Sequence, residues 1–163
     1  MSAIIQSDFN HLSKGDKYDY FHQAWPSIWD SAISVESNLC NCYSLLRQIF
    51  NWWWVGNYWV KNNTLTLGVF QGDPACTLIE FGHGVCGKCW KDATTLIVPN
   101  VHEFPGHIAC SAYSNSEIVI PIFNANSEVI GVLDIDSKEF NNFDPIDRMQ
   151  LEFFCTKLAA LLQ

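Results

Sequence analysis

The stretch DPACTLIEFGHGVCGKC (residues 73–89), continued by VPNVHEFPGHIAC (residues 98–110), holds four of the seven cysteines, and each lies within four residues of a glycine. Glycine allows close backbone approach or positive φ, so a glycine-rich run beside a thiol is typical of an accessible site. Most cysteines in proteins are instead buried as small hydrophobes. We therefore expect reactive thiols among Cys76, Cys86 and Cys110.

Outward from this stretch, the apolar pattern changes its period. Residues 18–50 repeat apolar side chains every three or four positions and predict helices, with Pro26 at the start of a new one. WVGNYWV and TLTLGVF alternate on either side of a turn signal at residues 61–63 and predict a hairpin. A second hairpin is predicted from residues 117–123 and 129–136.

Shorter elements fill the rest of the chain. Residues 76–81 and 94–98 predict strands, and residues 85–92 predict a short helix between them. The irregular segment 99–116 is long for a compact domain, and such loops are usually functional. A last helix is predicted over residues 144–162, with Asp at the N-cap and Pro at N1. Its predicted apolar face consists of Met149, Leu151, Phe153, Phe154, Leu158, Leu161 and Leu162.

Helices, then strands, then a helix predict an α+β fold with a mainly antiparallel central sheet flanked by N-terminal and C-terminal helices. The length of 163 residues is that of one domain. We expect a single domain over residues 1–163, with residues 1–15 as a loosely ordered extension.

The composition narrows the function classes. A net charge of −8 with nine Lys and Arg argues against a nucleic-acid partner. No apolar run reaches the roughly 18 residues of a membrane span, and no secretory signal is visible at the N-terminus. An odd number of cysteines, seven, excludes a fully paired extracellular framework. We expect a cytoplasmic location without a membrane partner, where thiols are catalytic or metal-binding more often than structural.

The remaining cysteines differ in their surroundings. Cys40, Cys42 and Cys155 lie in apolar helical patterns and are expected to be buried, and the Cys-x-Cys spacing puts the first two on different sides of a helix. Cys86 and Cys89 form a Cys-Gly-Lys-Cys motif, a spacing used by redox dithiols and by zinc ligands.

Two thiols have local features that favour the thiolate, which is the reactive form. Cys86 lies at the predicted start of a short helix, and Cys110 follows His107 by three residues. A helix N-terminus or a nearby cation lowers a thiol pKa. These features alone do not rank the two residues.

Carboxylates and aromatic residues form two further sets on the predicted strands. Asp134 and Asp136 are two residues apart, so they share one face of a strand, and Glu117 begins the strand before it. Buried acids on one face raise each other's pKa, and a protonated acid can donate a proton to a substrate. An ionised acid can bind an ammonium group. Trp54 and Tyr58 belong to an aromatic run that is expected mostly to fill the core. Alternation does not assign these two side chains to a face of the sheet, because Gly56 permits a bulge in the strand.

Five motifs resemble one known family. They are PNVHEFPGHIAC, SEIVIPI, VIGVLDIDS, NWWWVGNYW and LGVFQGDPAC, at residues 99–110, 116–122, 129–137, 51–59 and 67–76. In order and spacing they are similar to free methionine-(R)-sulfoxide reductase, a GAF-domain enzyme, over most of the chain. The resemblance implies a GAF fold and a thiol-dependent oxidoreductase that converts free L-methionine-(R)-S-oxide to L-methionine.

The resemblance also implies roles for the cysteines. Cys110 would attack the sulfoxide sulfur and become a sulfenic acid, while Cys76 would be the principal resolving cysteine. Cys86 matches a third cysteine that takes part in reduction or in an alternative disulfide. Thioredoxin or a similar dithiol would restore the enzyme, with no bound cofactor or metal.

In the same resemblance, the substrate site comprises Trp54, Tyr58, Glu117, Asp134 and Asp136. The chain departs from the family at two positions. Cys89 is an additional cysteine, and Ser111 stands where an acidic residue is expected.

The same residues allow two other interpretations of the function. A non-catalytic GAF domain would bind a small molecule without converting it. A zinc protein would use Cys86 and Cys89 with two further ligands from Cys76, His83, His107 or Cys110. The sequence is compatible with a homodimer but does not determine the oligomeric state.

Overall fold

The structure is a computed structural model that describes residues 8–107 and 112–162. Within these ranges the helices are α1 (Lys14–Ile28), α2 (Val35–Phe50), α3 (Gly84–Asp92) and α4 (Pro145–Leu161). The strands are β1 (Trp54–Lys61), β2 (Thr64–Gln71), β3 (Leu78–Glu80), β4 (Leu96–Val98), β5 (Ser116–Phe123) and β6 (Val129–Ser137). One 3-10 turn, Val101–Glu103, interrupts the segment between β4 and β5.

The described strands form one antiparallel sheet in the order β3-β2-β1-β6-β5-β4. Strands β1 and β6 are the central pair, although 67 residues lie between the end of β1 at Lys61 and the start of β6 at Val129. Helices α1, α2 and α4 come from the two ends of the sequence. The predicted α+β fold with an antiparallel sheet flanked by terminal helices is confirmed.

The turns between paired strands follow the predicted chemistry. Asn62 and Asn63 both have positive φ between β1 and β2, which is the conformation of a tight type I′ hairpin turn. Asparagine tolerates this region better than other residues that carry a side chain. The hairpin at residues 61–63 is therefore confirmed.

One helix boundary differs from the prediction. Pro26 lies inside the last turn of α1 instead of starting a new helix, and the chain leaves α1 at Trp29. The next helix starts later, where the Ser34 side chain accepts a hydrogen bond from the Ser37 backbone N–H. Proline is compatible with an existing helix when tertiary packing on both sides holds the turn, and Trp25 is buried there.

Helix α4 begins as predicted. Asp144 is the N-cap, Pro145 is at N1, and Asp147 completes a capping box. Its predicted apolar face is partly wrong, because Met149 and Phe153 are about half exposed while Leu151, Phe154 and Leu158 are buried. The buried side chains of Leu151, Phe154 and Leu158 pack on the sheet.

Two apolar cores lie on opposite faces of the sheet. The larger lies under α1, α2 and α4 and includes Phe9, Trp52 and Ile118. The smaller lies under α3 and includes Trp54 and Val119. Within the described ranges, no helix combines the length and apolar character needed to cross a membrane.

The N-terminal helix is joined to α4 by a partly buried ion cluster. Lys14 Nζ pairs with Asp144 Oδ2 at 2.7 Å and with the fully buried Asp147. Tyr18 donates its hydroxyl to Asp147 Oδ1 at 2.7 Å. These contacts fix α1 on the start of α4.

We expect Lys14→Met to lower the free energy of unfolding by about 2–4 kcal/mol, because it leaves the Asp147 carboxylate buried without its cation. Urea unfolding measures this. Lys88→Met is the matched control, since Lys88 makes an exposed ion pair with Asp92, and it should cost less than about 1 kcal/mol. Equal losses in the two variants would contradict the structural role of Lys14.

Candidate functional site

The register of two neighbouring strands brings the predicted carboxylates together. In the β5–β6 ladder, Glu117 is opposite Asp136 and Val119 is opposite Asp134. Opposed residues share a face, so all three acids point to the α3 side of the sheet. Glu117 and Asp134 are each 6% exposed, while Asp136 is partly exposed.

The aromatic wall comes from β1, the other neighbour of β6. Trp54 pairs with Asp136 and Tyr58 with Val132, so both side chains face the acids. The Trp54 ring lies over Gly56, where a Cβ would come within 2.4 Å of the ring. Its Nε1 donates to the Asp73 carbonyl at 3.0 Å.

The bulge expected near Gly56 lies between β1 and β2. The pairing advances from Gly56 to Tyr58 on β1 but from Phe70 to Leu67 on β2, so the additional residue belongs to β2. The β1–β6 register stays regular, and this preserves the alternation on β1. Trp52 lies before β1 and packs in the larger core, on the opposite face from Trp54, so the alternation of the strand does not extend back to it.

Helix α3 places its two cysteines in different environments. Cys86 is in the first turn, and its thiol lies 4.0 Å from Glu117 Oε1. Cys89 is fully buried and contacts the Val119 carbonyl at 3.6 Å. Among the described residues, Cys89 is not part of any convergent group of metal-ligating atoms. Within residues 8–107 and 112–162, the Cys86–Cys89 zinc pair therefore lacks a third ligand that converges with both thiols.

The Cys86 thiol does not have the activated character that its helix position suggests. Burial raises its pKa, and the nearby carboxyl groups of Asp134 and Glu117 raise it further. These effects oppose the stabilisation of a thiolate by the helix N-terminus. The sequence argument considered the helix but not the acids, which come from strands far along the chain.

The same crowding affects the acids. Burial raises the pKa of Glu117, and the charges of Asp134 and Asp136 add to this. Burial also raises the pKa of Asp134, with Asp136 as the next cause. The pKa of Asp136 rises to about 6 through burial, although a hydrogen bond from Ser114 favours its ionised form. The balance for Glu117 and Asp134 is therefore shifted towards the protonated carboxyl group.

Cys76 lies before β3 and is disulfide-bonded, whereas the other five described cysteines are free. Cys110 and Ser111 lie outside the described residues, so the Cys76–Cys110 pairing stays a prediction. Cys42 and Cys155 are buried as expected. Cys40 was also expected to be buried, but it is exposed, because it occupies the outer side of α2.

One cavity unites the described candidates. It is lined by Trp54, Tyr58, Cys86, Glu117, Asp134 and Asp136. Pro74 and Ala75 line the same cavity, so it adjoins the segment that carries Cys76.

Two polar residues of the cavity were not singled out as substrate ligands from the sequence. Ser114 is buried and hydrogen-bonds Asp136, and His107 lies on the wall. Burial lowers the pKa of His107, which favours the neutral ring. Both residues belong to the long segment between β4 and β5, which the sequence predicts to be functional. The length of this segment was the sequence signal that could have identified them.

The buried acids should reduce stability at neutral pH. In the folded chain Asp134 binds a proton at pH values where the unfolded chain has lost it, so the free energy of unfolding falls as pH rises through this range. Asp134→Asn should raise the free energy of unfolding at pH 7 by about 1–3 kcal/mol, because the amide never carries the buried charge.

The gain should be smaller at about pH 5, because this pH is nearer the ordinary Asp pKa of 3.8 in the unfolded chain and keeping the buried carboxyl group protonated then costs less free energy. Thermal unfolding at the two pH values measures the difference. Glu128→Gln, at an exposed acid on the same hairpin, should stay within about 0.5 kcal/mol of the original. A loss of stability in Asp134→Asn at pH 7 would contradict the assignment.

Comparison with known proteins gives consistent results. The family model described as "GAF domain" matches residues 37–163. A relative in Dictyostelium discoideum, GAF domain-containing protein A, is 45% identical over 156 residues, covering 93% of this chain and 95% of the relative. The free methionine-R-sulfoxide reductase of Saccharomyces cerevisiae is 37% identical over 161 residues, covering 94% of this chain and 87% of the yeast protein.

A solved structure agrees with these relatives. The X-ray structure of free methionine-R-sulfoxide reductase from Neisseria meningitidis, in complex with its substrate, superposes with a TM-score of 0.83. The two sequences are 39% identical, and the match covers 93% of each chain.

Proposed function

Since the chain belongs to the GAF-domain family of free methionine-(R)-sulfoxide reductases, we propose that it reduces free L-methionine-(R)-S-oxide to L-methionine. The observation that carries the proposal is the single cavity that combines an aromatic wall, three acids and a thiol beside the disulfide-bonded Cys76 segment. An apolar wall suits the methyl and methylene groups of the substrate, and an acidic floor suits its ammonium group.

The proposed cycle begins with the Cys110 thiolate attacking the sulfoxide sulfur. The sulfoxide oxygen passes to the cysteine sulfur as a sulfenic acid, and methionine leaves in reduced form. The Cys76 thiol then condenses with the sulfenic acid, which releases water and forms a disulfide. A dithiol reductant of the thioredoxin class returns both cysteines to thiols and becomes a disulfide itself.

The acids are proposed to have two roles. A protonated carboxyl group donates to the sulfoxide oxygen during the attack, and the raised pKa values of Glu117 and Asp134 support this role near neutral pH. An ionised carboxylate binds the substrate ammonium group, for which Asp136, with a pKa of about 6, is suited. Ser114 orients Asp136 through its hydrogen bond.

Cys86 is proposed as a secondary resolving thiol. Its raised pKa makes it slower than an accessible thiolate, which supports Cys76 as the principal partner. The need for a thioredoxin-type reductant agrees with the cytoplasmic location expected from the composition.

The test is NADPH consumption with the purified chain, thioredoxin, thioredoxin reductase and free methionine sulfoxide. We expect turnover with the R epimer and little with the S epimer, because one arrangement of oxygen and lone pair fits a fixed thiolate and a fixed acid. If the protein binds the substrate but no dithiol reductant supports turnover, the result favours a sensor domain and overturns the enzymatic proposal.

A further inference from the structure

Three buried side chains in the cavity converge more closely than substrate recognition requires. One ligand atom each from Cys86, Glu117 and Asp134 lies within 4.8 Å of the other two. Cys86 Sγ lies 4.0 Å from Glu117 Oε1. All three residues are at most 6% exposed.

We propose that Cys86, Glu117 and Asp134 form a binding site for a thiophilic divalent cation, with Zn²⁺ as the ion of choice. The ligand set is one thiolate and two carboxylates, which differs from the Cys86–Cys89 pair suggested by the sequence motif. A fourth position faces the cavity and is open to water.

The separations fit such an ion after a small contraction. Zinc binds thiolate sulfur at about 2.3 Å and carboxylate oxygen at about 2.1 Å, so a tetrahedral centre requires ligand atoms about 3.4–3.6 Å apart. The Cys86–Glu117 distance of 4.0 Å is close to this value. The other two separations are at most 4.8 Å, so they would have to shorten by up to about 1.4 Å when the ion binds.

An unsatisfied oxygen gives independent support. Asp134 Oδ1 is buried and has no hydrogen-bond partner among the described residues. Buried polar atoms without a partner are uncommon and often mark an absent ion or ligand. Asp134 is also one of the three converging residues, so the same carboxyl group provides a converging oxygen and has an unpartnered one.

The charge balance also favours a cation. The three residues can supply three negative charges when ionised, and no Lys or Arg is among the described residues that line the cavity. Binding a divalent ion would neutralise most of this charge while the protons of Cys86 and of the two carboxyl groups pass to solvent. The single sulfur ligand favours zinc or cadmium over magnesium or calcium, which prefer oxygen-only sites.

Occupation would block the acids that the proposed function assigns to the substrate. Zinc would therefore inhibit such an enzyme, but the binding site itself rests on the geometry of the three residues and can be tested without turnover.

Cadmium is a suitable probe, because a cadmium–thiolate bond has an ultraviolet charge-transfer band. The titration uses protein with the Cys76 disulfide intact, so that reduced redox cysteines do not bind the ion. We expect one equivalent of Cd²⁺ to bind with the thiolate band, and Zn²⁺ but not Mg²⁺ to displace it. Binding should weaken as the pH falls, because protons compete for the ligands.

Variants identify the site. Cys86→Ser should abolish the band, and Asp134→Asn should weaken Cd²⁺ binding at least tenfold. Cys89→Ser and Cys40→Ser are matched controls and should keep the band, since one thiol contacts Val119 in the core and the other is exposed on α2. Failure of the original protein to bind Cd²⁺ at micromolar concentration, or a band that persists in Cys86→Ser, would overturn the proposal.

Discussion

Cys110→Ser is expected to reduce turnover by roughly a thousandfold or more, because removal of a nucleophile leaves only binding and polarisation of the substrate. The buried thiols among the described residues are poor replacements. Burial raises the pKa of Cys86, Cys89 and Cys155, and it raises that of Cys42 to about 12. A thiol in this state supplies little thiolate at neutral pH.

The measurement is the thioredoxin-coupled rate with free methionine-(R)-sulfoxide. Cys40→Ser is the matched control, since Cys40 is exposed on α2 and outside the cavity, and it should retain the full rate. Unchanged thermal unfolding of Cys110→Ser would show that the fold is intact. If that variant keeps near-normal turnover, another thiol is the nucleophile.

Glu117→Gln and Asp134→Asn should each lower kcat/KM for free methionine-(R)-sulfoxide by about ten- to a hundredfold, which is the effect of an unmatched buried polar group worth about 1–3 kcal/mol. Each amide removes the acidic proton that the carboxyl group is proposed to donate to the sulfoxide oxygen. Glu128→Gln is the control, because Glu128 is an exposed acid at the turn of the same hairpin.

A second substrate separates recognition of the amino acid from general thiol chemistry. N-acetylated, amidated methionine sulfoxide lacks the ammonium and the carboxylate, so it would leave the buried acids unpaired. We expect it to be a much poorer substrate than the free amino acid. Comparable rates for the two compounds would rule out specificity for the free amino acid and leave a general sulfoxide reductase.

Much of the fold could be predicted because its signals are local. Asn62 and Asn63 indicate a tight turn, and the Asp144–Pro145 pair indicates the start of a helix. Pro26 was misinterpreted because a proline in a last helical turn and one in a first turn look alike without the neighbouring packing. Similarly, periodicity gave α4 an apolar stripe wider than the surface that the sheet can cover.

The site was only partly accessible from sequence. Alternation predicted that Asp134 and Asp136 share a face, and residue matching to a family pointed to Trp54 and Tyr58. The opposing effect of the acids on Cys86 depends on contact between α3 and β5, which are distant in the chain. Ser114 was missed for the same reason, since its significance comes from its hydrogen bond to Asp136.

The pairing of β5 with β6 has a consequence for folding. Glu117, Asp134 and Asp136 lie within one hairpin, so closing a short loop is enough to set their spacing. Contacts of low sequence separation form early and cost little chain entropy, whereas docking of α3 closes a longer loop. Partial unfolding should therefore release the thiol of Cys86 first. The remaining hairpin would keep its three acids together but would have lost their contact with this thiol.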